Sequence, residues 1–328
     1  MSTYNHTHSA VLTFLLPSLS GPGGPGLLTI LGLTYSTTLL GNGMMLLTIC
    51  ANTYLHQPQF LLLALLATTD LGLALSMLPT ILDALWLPVP TISRDVCLLQ
   101  MCCLYAVSSG QSSVLLAMAL DRWLAVCHPL YYLVFFTPSH LAWTSLAFIL
   151  RITIPLLPTP LLMPSCSALN LSLPFCFPTE VLQLSCGELG WTYPAVSMIT
   201  TASIDIVLIT ISYCLVCWEV TKRISPVGQR KALRTFTAHL CAFLAFYGPL
   251  FASALFPGLL PGSLASLGLL ASPALHPLVY GIQSHQLRRG LLDVFGCPSN
   301  PKVTPTQRGP ITRAHFLRRI RTQVLNGS

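Results

Sequence analysis

From residue 27 to residue 51 the chain runs for 25 positions without a charged side chain. At 1.5 Å per helical residue such a stretch crosses a hydrocarbon core of about 30 Å, a length no water-exposed helix needs to keep free of charge. Six more apolar stretches follow, at 60–87, 97–120, 141–163, 191–218, 236–256 and 259–282. Their interiors hold few charges: Asp70 and Asp83 in the second, Arg151 in the fourth and Asp205 in the fifth. The third ends at Asp121 and Arg122. Composition agrees, because 53% of the 328 residues are apolar and only 8% charged, against roughly 25% charged in an ordinary soluble domain. The expected fold is an all-α membrane protein, a bundle of seven transmembrane helices. Pro155, Pro249 and Pro277 are compatible with that reading, because in lipid neighbouring helices and hydroxyls can satisfy the carbonyls a proline frees. The net charge of +7, carried at such low density, marks one membrane face rather than a nucleic-acid surface.

The basic residues orient the bundle. Arg122, the group Lys222, Arg223, Arg230, Lys231 and Arg234, and eight Lys or Arg after residue 283 fall on one side, against Arg94 alone on the other. The positive-inside bias therefore predicts an external N-terminus and a cytosolic C-terminus. The glycosylation sequons at Asn5 and Asn170 fall on the expected outer side. The N-terminus lacks the basic region of a secretory signal and is expected to remain uncleaved, with the first span acting as the signal. The expected organisation is an extracellular segment 1–26, a seven-span bundle 27–283, an amphipathic membrane-surface helix 284–296 and a basic tail 297–328. No internal repeat is visible, which weakens a transporter built from inverted repeats.

Of the twelve cysteines, Cys50, Cys102, Cys103, Cys127, Cys214, Cys217 and Cys241 lie in spans or at their inner ends and read as small buried hydrophobes. Cys97, Cys166, Cys176 and Cys186 face the oxidising side. Four cysteines allow three pairings, and the sequence alone does not choose among them.

Met118-Ala-Leu-Asp-Arg-Trp-Leu-Ala-Val-Cys-His-Pro-Leu-Tyr-Tyr132 closely resembles the MAYDRYVAICxPLxY stretch of odorant receptors among the rhodopsin-like (class A) G-protein-coupled receptors. Further matches follow in order: Gly41-Asn42, Leu55-His56-Gln57-Pro58, Leu66-Ala67-Thr68-Thr69-Asp70-Leu71, Ser212-Tyr213, Lys231 to Thr235 with His239-Leu240, Phe246-Tyr247-Gly248-Pro249, and Pro277-Leu278-Val279-Tyr280. The likeness covers roughly residues 27 to 295, and the stretch from Asp70 to Thr80 resembles the fish-like class I branch. It implies a chemosensory receptor of olfactory-neuron cilia, in which a small volatile ligand drives a stimulatory G protein to raise cAMP. It implies no cofactor, no metal and no catalytic residue. By the family's habit Cys97 pairs with Cys176, and Cys166 with Cys186.

The resemblance also implies roles that the residues can carry physically. Asp121 and Arg122 suit a switch in which the carboxylate holds the guanidinium at rest, and an intramembrane ionisable group is a functional candidate by default. Lys231 belongs to the same coupling set, and Tyr213, His239 and Tyr280 are expected to converge at the inner end as a latch with two packings. Asp70 needs polar partners near mid-bilayer, and Asn42 and the pocket around it are expected to supply them.

Two departures fall in that pocket. His276 stands where relatives usually have Asn, and Gln111 where class I relatives usually have Glu. His276 either ion-pairs with Asp70 or replaces Asn as a neutral ring. A third departure concerns ligand: relatives commonly place His-Arg at the outer end of span six, whereas this chain reads Ala254-Leu-Phe-Pro257. No Lys or Arg is expected to reach the outer cavity, so the ligand is predicted to be neutral and apolar. Tyr105, Ser108, Ser109, Ser197, Thr201 and Tyr247, with Phe251 and Ala254, are its candidate contacts; the hydroxyls suit an alcohol, ketone or ester, and each could equally be ordinary helix-contact polarity.

Two further function classes stay open on sequence alone. One is a folded receptor with little signalling. The other is a transporter or channel, for which Asp70, Asp205 and Arg151 are the few polar candidates. In the tail, the segment 316–325 either binds anionic lipid or stays solvated.

Overall fold

The computed structural model describes residues 13–16, 24–128, 138–156, 171, 173–177, 188–223, 236–249 and 262–295. Its helices are α1 (Gly24–Ala51), α2 (Pro58–Trp86), α3 (Arg94–Cys127), α4 (Pro138–Leu156), α5 (Glu188–Arg223), α6 (236–249), α7 (Gly262–Gln283) and α8 (His285–Val294). Four of them contain windows long and apolar enough to cross a membrane: Leu28–Ala51, Pro58–Trp86, Arg94–Cys127 and Ile199–Lys222. The tail 297–328 lies outside the described residues.

The helices are inverted relative to a soluble bundle. Leu33, Leu40 and Leu47 project from one side of α1 and are more than half exposed, while Thr38, Asn42, Asp70, Gln111, Asp205 and His276 are buried. Exposed leucines facing hydrocarbon cost nothing, so association rests on packing and on polar contacts between helices. α3 lies at the centre, packed against α2, α4 and α5, while α1 packs against α2 and α7.

Local chemistry explains several boundaries. Gln57 is extended (φ −90°, ψ 152°) because the following Pro58 disfavours helix there, and Pro58 then opens α2 where its missing N–H is not needed. Pro277 inside α7 frees the carbonyl of Pro273, and Asn42 Nδ2 donates to that oxygen at 2.9 Å. Gly41, one residue earlier, makes this approach possible: a Cβ there would lie 2.7 Å from Pro277 Cγ. Ser284 ends α7 and donates no bulk to the turn; its hydroxyl accepts from Leu287 N–H at 3.1 Å and so starts α8.

Two expectations are revised here. The third span does not stop at Asp121 and Arg122, because α3 continues to Cys127 and sets both residues inside its last two turns. Asn42, expected beside Asp70, instead donates to the carbonyls of Thr38 and Pro273; a carbonyl orphaned by proline in an apolar interior is the stronger claimant for an amide donor.

One end of the bundle is fastened by a small sheet and a disulfide. β1 (Thr13–Leu15) pairs antiparallel with β2 (Thr91–Ser93), Leu171 N–H donates to Leu15 O at 2.9 Å, and Cys97 is bonded to Cys176. Phe14, Leu16, Ile92, Met101 and Leu171 pack around that bridge.

Candidate functional site

Four groups of polar side chains lie along the bundle. At the disulfide end, Gln100 on α3 is a three-way fastener. Its Nε2 donates to Ser76 O at 2.8 Å and Thr80 Oγ1 at 3.0 Å, and its Oε1 accepts Cys176 N–H at 2.9 Å. Disulfide and amide together fix the segment 173–177 against α2 and α3, and Phe177 enters the wall of a cavity.

That cavity, of about 80 Å³, is lined by Leu104, Tyr105, Ser108, Ser109 and Ser112 of α3, Arg151 of α4, Phe177, Thr201 and Ala202 of α5, and Phe246 and Tyr247 of α6. Five of the sequence candidates therefore meet there: Tyr105, Ser108, Ser109, Thr201 and Tyr247. Ser197 is half-buried on α5 and is not among the lining residues. Phe251 and Ala254 lie outside the described residues.

The expectation that no cation reaches this cavity is corrected: Arg151 lines it. Its charge is matched, however. Arg151 Nη2 bonds Asp205 Oδ2, which also accepts from Ser112 Oγ, and Arg151 donates to Ser112 Oγ at 3.2 Å. Ser112 Oγ lies 2.7 Å from Tyr247 Oη. α3, α4, α5 and α6 are thus joined by one network, and the interior ion pair is net neutral. Sequence reading offered Arg151 and Asp205 only as polar candidates for a transporter or channel and not as a pair; the signal available was that opposite charges in separate spans must find partners.

Deeper in the bundle, Asp70 is completely buried. His276 Nδ1 lies 3.0 Å from Asp70 Oδ1 and 2.9 Å from Oδ2, and Gln111 Nε2 donates to Oδ1 at 2.8 Å. Ser272 Oγ, 3.3 Å from His276 Nε2, occupies the ring's other nitrogen. Both ring nitrogens therefore have a polar partner, Nδ1 on the Asp70 carboxyl group and Nε2 on the Ser272 hydroxyl.

At the end opposite the disulfide, a cavity of about 560 Å³ is lined by Arg122 and Met118 of α3, Gln59 and Phe60 of α2, Ala238 and His239 of α6, and Tyr280 and Gln283 of α7, with Ser284 to Gln286 beyond. Tyr280 Oη is 3.3 Å from His239 Nδ1, and Tyr213 is buried edge-on to Phe236 at 5.0 Å. Arg122 is ion-paired with its neighbour, Nε lying 3.7 Å from Asp121 Oδ2, and its Nη2 also donates to Gln59 Oε1 of α2 at 2.6 Å. Lys231, Asn5, Asn170, Cys166 and Cys186 lie outside the described residues.

Comparison with known proteins adds an independent line. A family profile described as "Olfactory receptor" matches residues 31–296. Human "Olfactory receptor 51L1" is 37% identical over 276 residues, covering 80% of this chain and 87% of that protein. Human "Olfactory receptor 52W1" is 36% identical over 313 residues, covering 92% and 97%. Human "Olfactory receptor 51G1" is 33% identical over 273 residues, covering 80% and 85%.

Proposed function

The chain belongs to the olfactory receptor family, odorant-sensing G-protein-coupled receptors of the membrane rather than enzymes, and from that premise we propose that it detects a small neutral volatile in the cavity near the disulfide. The observation that carries the reading is the wall itself. Aromatic and aliphatic groups predominate, Tyr105, Ser108, Ser109 and Thr201 offer hydroxyls, and the cation at the wall, Arg151, is already paired with Asp205. A carboxylate ligand would have to compete with Asp205 for that guanidinium, whereas a ketone, ester or alcohol needs only to satisfy a hydroxyl.

The route to the far end runs along α6. Tyr247 touches both the cavity and the Ser112–Asp205 network, and His239 is two turns away on the same helix, about 12 Å along its axis. A ligand that favours a rotated Tyr247 shifts the population toward a packing in which the contact between His239 and Tyr280 is rearranged. The cavity around Arg122 then receives a stimulatory G protein, and cAMP rises. The lone basic residue near the disulfide and the many basic residues at the other end support an external N-terminus, with Asn5 and Asn170 glycosylated and a second bridge between Cys166 and Cys186. Residency in the plasma membrane of sensory cilia accords with the family.

A cAMP reporter screen pairing carboxylic acids with their neutral analogues tests this reading. Neutral ligands are expected to act at lower concentration, and Arg122→Ala is expected to abolish the response at equal surface expression. Stronger activation by the acids would reject the ligand class. Antibody access to an N-terminal tag on intact cells checks the orientation.

A further inference from the structure

Residues 13–16 precede every span, yet the structure builds them into the middle of the disulfide end. Leu16 N–H donates to Pro90 O at 3.0 Å, on the edge where β1 pairs with β2. Backbone groups alternate between the two edges of an antiparallel strand, so those of Leu15 face the other way. There Leu15 O accepts Leu171 N–H at 2.9 Å. β1 is therefore hydrogen-bonded on both edges, to the α2–α3 connection on one side and to the segment leading to Cys176 on the other. Side chains alternate as well: Thr13 and Leu15 are exposed, whereas Phe14 and Leu16 are buried against Ile92, Met101, Leu171 and the bridge between Cys97 and Cys176. Phe177, next in the chain after Cys176, lines the cavity assigned above to the ligand.

We propose that residues 13–16 belong to the ligand-sensing end, with Phe14 the positioning residue that holds β1 in place and through it sets Phe177 in the cavity wall. The physical need is for more than one tie. A segment held at a single point can pivot about it, and both the disulfide and Gln100 act at Cys176. β1 holds the same segment farther back, at Leu171. Three strand pairs alone give little stability, so the strand depends on the burial of Phe14 and Leu16, and the aromatic ring brings the larger apolar surface. The inference rests on the ligand reading of that cavity, but the hold on segment 171–177 can be read without a ligand.

The test follows amide hydrogen exchange in the peptide covering residues 171–177 of the purified full-length receptor in detergent. Beside it, the cAMP reporter reads the potency of straight-chain methyl ketones from butanone to methyl hexyl ketone. Phe14→Ala is expected to speed exchange in that peptide several-fold. It is also expected to raise the ketone concentration for half-maximal response several-fold, while the maximal response per receptor at the cell surface stays unchanged. Phe14→Leu keeps a buried apolar group and is expected to resemble wild type. Thr13 and Ser93 face each other as a non-hydrogen-bonded pair, with Cα atoms about 4.5 Å apart, a separation that a disulfide spans. The triple variant T13C/F14A/S93C is therefore expected to restore slow exchange and potency together, because a covalent tie replaces the lost burial. Unchanged exchange in F14A overturns the inference. So does faster exchange at unchanged potency, or a potency loss that the new bridge leaves in place. Should F14A fail to fold, Phe14→Val keeps a smaller apolar group and is expected to show the same pattern in weaker form; wild-type exchange and potency in F14V would then overturn the inference. A receptor that answers none of these ketones refutes the ligand reading, and exchange alone then decides whether Phe14 holds the segment.

Discussion

A carboxylate and an imidazole that both lack contact with water have to satisfy one another. Asp70 and His276 are each fully buried, within 3.0 Å of one another at both carboxylate oxygens. His276→Asn leaves a shorter side chain that reaches the carboxylate less well. It is expected to lower the apparent melting temperature, as charge-assisted bonds of about 1.5–3 kcal/mol are lost. Arg151 and Asp205 give a second residue-level test. Asp205→Ala strands a partly buried guanidinium and is expected to cost up to about 3–5 kcal/mol, with surface expression falling accordingly, whereas R151M/D205L is expected to recover most of the loss. His276 stood out in the sequence because ionisable side chains are scarce in the spans. Gln59 did not, because an amide at a helix start is ordinary and its partner is 63 residues away.

Among the helices, the contact between α1 and α7 leaves the least tolerance. Gly41 admits the ring of Pro277, and Asn42 caps the carbonyl that ring leaves without an N–H, so two adjacent residues serve one kink. Gly41→Val would push a side chain into Pro277 and separate the helices; a lower melting temperature and reduced surface expression are expected, larger than for Gly43→Val, where an added Cβ meets nothing within 4 Å. Most helices were legible from apolar length and rare charges, which are local properties of the chain. The true length of α3 was not, because charged Asp121 and Arg122 look like a boundary to hydropathy, although charges that find partners do not end a helix. The role of Asn42 was hidden for a related reason: the group it satisfies is a backbone carbonyl on another helix, 231 residues away, and no side chain advertises it.

Over the whole molecule, the disulfide end is a fastened lid, held by the bond between Cys97 and Cys176, by Gln100 and by the strand pairing of β1 with β2. Gln100→Leu removes all three of that amide's contacts but leaves the disulfide. It is expected to reduce agonist potency in the cAMP screen more than it reduces surface expression, since the displaced element, Phe177, belongs to the cavity wall. The candidate contacts on α3, α5 and α6 could be read from family motifs. The neutralised Arg151 could not, because its partner lies 54 residues away in another span. The placing of Tyr247 has a consequence of a different kind. The same hydroxyl borders the cavity and closes onto Ser112 and Asp205, so a ligand that engages it loads a joint where four helices meet, and its preference for one packing is registered at that joint as well as at its own contacts.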